Sequence, residues 1–123
     1  MLQLAFKVAA AVPPEPDPTP VVNSVSADAE GATPGRIVKN EDIMISGRNF
    51  GYDGTEVSVK FTCEVETVAF GRILEMSDGY MKVAWPDGLI HVSAGVEVTI
   101  TVTRRVYGEP YTSSPVTVTV ATA

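Results

Sequence analysis

Residues 42–51 read Asp-Ile-Met-Ile-Ser-Gly-Arg-Asn-Phe-Gly and divide into an apolar β-segment and a glycine-bounded loop. Gly47 and Gly51 allow backbone conformations that other residues avoid. Phe50 lies between them and is placed to plug the edge of a β-sandwich. The stretch therefore predicts a strand that feeds an edge loop, and it acts as a determinant of the fold.

Alternation of apolar and polar residues on both sides of this stretch predicts an all-β domain. It is clearest in 56–66, where one face carries Val57, Val59, Phe61, Cys63 and Val65. Such a strand has one buried and one wet face, as in an antiparallel sheet. The segments 21–26, 81–85, 96–102 and 116–120 are further predicted strands. About seven short strands with turns between them, and no sustained helical period, are typical of an antiparallel β-sandwich.

Composition limits the classes of partner. The chain has 123 residues and a formal net charge of −6, which suits one acidic domain with a hydrophobic core. Nucleic-acid binding usually needs a basic patch, so direct contact with nucleic acid is not expected. No apolar run reaches the roughly 18–20 residues of a membrane span. The single cysteine excludes an intrachain disulfide and a cysteine-based zinc site.

The N-terminus predicts a separate arm. Residues 1–12 form the arm, 13–20 a proline-rich spacer and 21–123 the sandwich. Leu2, Leu4, Phe6 and Val8 share one parity, which predicts a short β-strand. The spacer's five prolines favour an extended polyproline-like segment that can hold this strand roughly 20–25 Å from the domain. The arm either caps its own sheet or adds to the sheet edge of another chain.

The sequence offers no complete catalytic set, so no enzymatic activity, cofactor or metal is expected. His91, the only histidine, lies in an apolar run, and Cys63 lies on an apolar strand face. Glu64 and Glu66 share a polar face, which is ordinarily a solvated one. The acidic loop residues show no calcium-loop spacing.

Four residues near the C-terminus are candidates for surface contact. Tyr107 and Tyr111 flank Gly108-Glu-Pro110, and they either form an exposed patch or pack across their own hairpin. Arg104 and Arg105 end a strand, where they either contact an acidic partner or block edge pairing. Trp85 shares the parity of its buried neighbours and is predicted to lie in the core.

Residues 42–51 resemble the start of the immunoglobulin-like IPT/TIG domain, in which an early strand runs into Gly-x-Asn-Phe/Leu-Gly. Pro34-Gly35 matches a Pro-Gly common in the preceding loop of that family. The resemblance implies an Ig-like β-sandwich over roughly residues 20–122. It implies no catalytic, metal-binding or cofactor-binding residues.

Residues 2–12 resemble the segment that joins an HU-like domain to a C-terminal Ig-like domain in DNA-binding-type proteins of Bacteroides-type bacteria. That resemblance implies that this chain corresponds to the Ig-like part. The part that would contact DNA is the HU-like one, so DNA binding does not carry over to these residues.

These observations favour a non-catalytic structural or assembly module, with the sandwich decorating a larger structure and the arm docking it by β-augmentation onto a protein partner. Virion and cell-surface arrays use that design and would place the chain there, although the cytoplasm also fits. A homo- or hetero-oligomeric assembly is expected. The alternatives are an accessory domain of an HU-like DNA-binding protein and a carbohydrate-binding module.

Overall fold

The alternating segments form two stacked sheets in the computed structural model, which describes residues 17–28, 32–63, 67–89 and 92–121. The arm residues Leu2, Leu4, Phe6 and Val8 lie outside these ranges. The strands are β1 (Val21–Ala27), β2 (Arg36–Val38), β3 (Ile43–Arg48), β4 (Val57–Cys63), β5 (Thr67–Gly71), β6 (Ile73–Met76), β7 (Tyr80–Val83), β8 (Glu97–Val106), β9 (Glu109–Thr112) and β10 (Val116–Ala121). Short 3₁₀ turns cover Gly54–Glu56 and Asp87–Leu89.

One sheet has the order β1-β3-β7-β6, and the other has the order β2-β10-β8-β4-β5, with β9 paired to the C-terminal part of β8. Within the described ranges the pairings are antiparallel except that of β2 with β10, which is parallel. Two packed sheets of this kind confirm the prediction of an all-β sandwich.

The core lies between the sheets and follows the predicted parity. Val57, Val59, Phe61 and Cys63 are all buried along β4. The same holds for alternate residues of β8 and β10, whose outer faces carry threonines. Trp85, predicted to be buried, is half-buried and packs against the core, and its indole Nε1 donates to the Leu89 carbonyl at 3.2 Å.

The described ranges hold ten strands, against the predicted seven or so. One addition is the short β2 beside β10, and the other two have the following physical reasons. The apolar segment 68–74 is two strands, because the chain leaves one sheet after Gly71 and enters the other at Ile73. The connection that contains Gly108 is itself a hairpin, because residues 109–112 pair with the end of β8.

Candidate functional site

Gly47 brings two backbones together at one end of the sandwich. A β-carbon there would collide with the Val21 carbonyl oxygen, so only glycine lets β1 and β3 approach this closely. Its N–H donates to the Gly79 carbonyl at 2.9 Å, which joins the end of β3 to the turn before β7. The first glycine of residues 42–51 is thus required by packing.

Phe50 closes this end of the core, as the sequence predicts. Its side chain is completely buried. Its N–H donates to the Asp78 carbonyl at 3.1 Å, and the Gly51 N–H donates to the Asp78 carboxylate at 3.0 Å. Asp78 therefore fixes the loop backbone on both sides of the Phe50 plug.

Asn49 holds the chain segment that enters the domain. Its backbone lies in the left-handed region, with φ of 64°, and its side-chain Nδ2 donates to the carbonyls of Asp17 and Thr19, each at 3.2 Å. The Asn49 carbonyl in turn accepts a hydrogen bond from Arg104 at 3.3 Å. We call this set of Asp17, Thr19, Asn49 and Arg104 the Asn49 clamp.

Hydrogen bonds between Asp17 and Thr19 fix the conformation of the chain segment that the clamp holds. The Asp17 carboxylate accepts hydrogen bonds from the Thr19 hydroxyl at 2.6 Å and the Thr19 N–H at 2.9 Å. These two bonds, the hydroxyl first, lower the pKa of Asp17. The Arg104 guanidinium lies over Gly51, where a β-carbon would come within 2.9 Å of Nε, so the second glycine leaves room for the arginine.

The β8–β9 hairpin extends beyond the core next to the clamp. Ser113 forms a bulge between β9 and β10: its N–H donates to the Val102 carbonyl at 2.8 Å, and its hydroxyl accepts from the Val102 N–H at 2.9 Å. The hairpin turns at Tyr107 and Gly108, both with positive φ, of 51° and 83°. Tyr107 is fully exposed, in a conformation that tyrosine seldom adopts.

A shallow depression lies between the hairpin and the entering chain. Its wall includes three of the four predicted contact residues, namely Arg104, Tyr107 and Tyr111, together with Asp17 and Glu109. Its charges are mixed, so it is not a basic patch of the kind that binds nucleic acid. It has the aromatic and arginine content of protein-binding surfaces.

Arg105 lies apart from that depression. It is exposed and lines a neighbouring one with Tyr52 and Tyr107. Tyr52 is also highly exposed. Arg104, by contrast, is half-buried and engaged by the clamp.

The other residues considered for chemistry are scattered. His91, Glu64 and Glu66 lie outside the described ranges, and Cys63 is buried. The Asp28 carboxylate forms a salt bridge with Lys82 Nζ at 3.1 Å. The hydrogen bond within this pair is the main cause that raises the pKa of Lys82. Within the described ranges no three histidine, cysteine or acidic side chains are grouped as metal ligands would be, and no helix there has the length and apolarity to cross a membrane.

Sequence reasoning did not identify Asn49 and Ser113 as organising residues. For Asn49 the residue type itself indicates a possible turn position, because asparagine is one of the few residues that tolerate positive φ. For Ser113 the sequence gives no such indication, because a bulge depends on the pairing register of two strands.

Comparison with known proteins gives a fold. No protein-family model matches the chain, and no curated protein matches it. Among solved structures, the fold of this chain is similar to the structure of a "Putative bacterial DNA binding protein" from Bacteroides vulgatus, with a TM-score of 0.66 and 18% sequence identity. The match covers 97% of this chain and 56% of the Bacteroides vulgatus protein, so this chain spans just over half the length of that protein. At this identity the likeness shows a shared fold.

Proposed function

We propose that the chain is a non-catalytic Ig-like module, joined through its N-terminal segment to a larger assembly. The observation that carries this proposal is the Asn49 clamp. Two hydrogen bonds from Asn49 to the Asp17 and Thr19 carbonyls hold the entering chain against the sandwich. A segment held at its base leaves the domain at a defined point, which is what a docking arm requires.

The arm sequence supports docking by β-augmentation. Four apolar residues of one parity can add a strand to a sheet edge, with backbone hydrogen bonds supplying affinity and the side chains specificity. The protein partner is then a chain with an accessible sheet edge. A virion or cell-surface array belongs to this proposal as one such assembly.

The test uses substitutions of the full chain. Leu4→Asp and Phe6→Asp place charges on the proposed docking face, whereas Gln3→Asp and Ala5→Asp make the same charge change on the opposite face. We expect the first pair alone to abolish co-purification of partner chains with a tagged protein from its source cells. Equal retention of partners by all four variants would refute the proposal.

A second candidate is supported by the Bacteroides vulgatus structure. That protein is described as a putative bacterial DNA-binding one, and the match covers 56% of it, so an accessory Ig-like domain in a DNA-associated protein fits the size relation. The net charge of −6 favours an accessory role without DNA contact by the sandwich.

A gel-shift with duplex DNA at low salt tests the second candidate. We expect no shift by this chain alone, because low salt strengthens phosphate contacts and an acidic domain offers few. A clear shift that disappears on raising salt would assign DNA binding to the sandwich itself and would contradict the accessory role.

A further inference from the structure

Strand β5 ends the larger sheet and carries apolar side chains on its outer face. In the described part of the chain it pairs on one side only, with β4. Ala69 points inward and is buried, whereas Val68 and Phe70 are 48% and 62% exposed. An edge strand with exposed apolar residues is a template for pairing with another strand.

The 3₁₀ turn Asp87–Leu89 lies against β5 at Ala69, where a β-carbon on Gly88 would come within 2.8 Å of the Ala69 β-carbon. The strand itself lacks the sequence devices that usually prevent association. Residues 67–74 contain no proline, no lysine and no carboxylate, and Arg72 is their single charge, in a chain of net charge −6. Two acidic copies would repel each other over most of their surfaces, but not along this strand. Strand β1, an edge of the other sheet, is also uncharged, but it carries none of the large exposed apolar side chains that β5 has. The exposed pair Val68 and Phe70, together with the lack of repelling charge, favours β5 as the edge that meets a second copy of the chain.

The strand is also self-complementary about Ala69. In an antiparallel pair of two β5 strands centred there, Ala69 faces its own copy, and Val68 of each chain lies opposite Phe70 of the other. Both members of each pair lie on the outer face, where β-branched and aromatic residues form favourable cross-strand pairs. The two Arg72 residues then lie about 20 Å apart, because six residues separate them along the paired strands.

We propose that β5 is a homodimerisation edge, through which two copies join their larger sheets into one continuous sheet with a two-fold axis at Ala69. The interface is small, so the dimer is weak and forms in a concentration-dependent manner. This inference goes beyond the proposed function, because it uses no part of the N-terminal arm.

The test measures self-association of the full chain by sedimentation equilibrium from about 10 µM to about 1 mM. Phe70→Glu and Val68→Lys each place a charge opposite an apolar partner and should weaken dimerisation about tenfold or more. The double variant Val68→Lys/Phe70→Glu places opposite charges across both pairs and should restore it. Thr117→Glu, an exposed change on a strand inside the sheet, serves as the control and should dimerise like the wild type.

Circular dichroism and thermal unfolding establish that each variant is folded. The new carboxylate of Phe70→Glu is tolerable within one copy, because position 70 lies opposite Lys60 on β4. A monomeric wild type, or a double variant as weak as the single ones, would overturn the proposal. Loss of association in Leu4→Asp/Phe6→Asp would also overturn it, since the arm would then be the occupant of the edge.

Discussion

The Asn49 clamp makes a prediction that separates conformational strain from hydrogen bonding. Asn49→Gly removes the side chain but keeps a residue that adopts φ of 64° freely. Asn49→Ala removes the same hydrogen bonds and puts alanine, which tolerates the left-handed region less well than asparagine or glycine, at this position. Asn49→Asp keeps the size and the backbone preference, but it replaces the donor with an oxygen that faces two carbonyls.

The magnitudes follow from the contacts. Asn49→Gly loses two hydrogen bonds, each worth about 0.5–1.5 kcal/mol net and partly exposed here, so the free energy of unfolding should fall by about 1–2 kcal/mol. Asn49→Ala should cost about 1–2 kcal/mol more, because the left-handed conformation is unfavourable for alanine. Asn49→Asp should destabilise at least as much as Asn49→Gly, since both carbonyls lose their donor.

Urea unfolding followed by Trp85 fluorescence measures these differences. With a slope of about 2 kcal/mol/M, Asn49→Gly should lower the midpoint by about 0.5–1 M. Asn40→Gly is the matched control: Asn40 has φ of 68° and is exposed, and its side chain makes no hydrogen bond within the described ranges. An Asn49→Gly midpoint equal to that of Asn40→Gly would refute the clamp.

Two further predictions concern Ser113 and Asp17. Ser113→Ala leaves the buried Val102 N–H without its side-chain acceptor and should cost about 1–3 kcal/mol in urea unfolding, whereas the exposed Ser114→Ala should stay within about 0.5 kcal/mol of the wild type. Equal losses would show that the bulge does not depend on the hydroxyl. Because the folded-state pKa of Asp17 is lowered, its stabilisation is present above the ordinary value of 3.8 and is lost as the pH falls through the folded value. In an NMR titration, Thr19→Val should raise the pKa of Asp17 toward 3.8, and an unchanged pKa would contradict the assigned cause.

The fold was largely predictable because burial imposes period two on each strand. The alternation in 56–66 and 96–102 identified the buried residues of β4 and β8, and Phe50 was predicted to plug the edge of the sandwich, where it is buried. These features are local, since a strand's parity depends only on its own residues.

The remaining features depend on contacts distant in sequence. The passage of residues 68–74 from one sheet to the other is set by which neighbours each half pairs with, and the apolar run alone does not encode it. The Asn49 clamp joins residues 30 and 32 positions apart. Of the predicted contact residues, Arg104 proved to hold the loop, because Gly51 leaves room for its guanidinium.

The acidic charge leads to one expectation about arrangement under the second candidate function. Each phosphate contact requires a basic group, and in this chain the net charge is −6. If the chain serves a DNA-associated protein, the DNA contacts must come from outside the sandwich. The chain enters the sandwich at the Asn49 clamp, so the clamp would set how the sandwich is oriented relative to whatever the arm joins. Weakening the clamp should then alter assembly even where the sandwich remains folded, and this separates a docking role from a purely structural one.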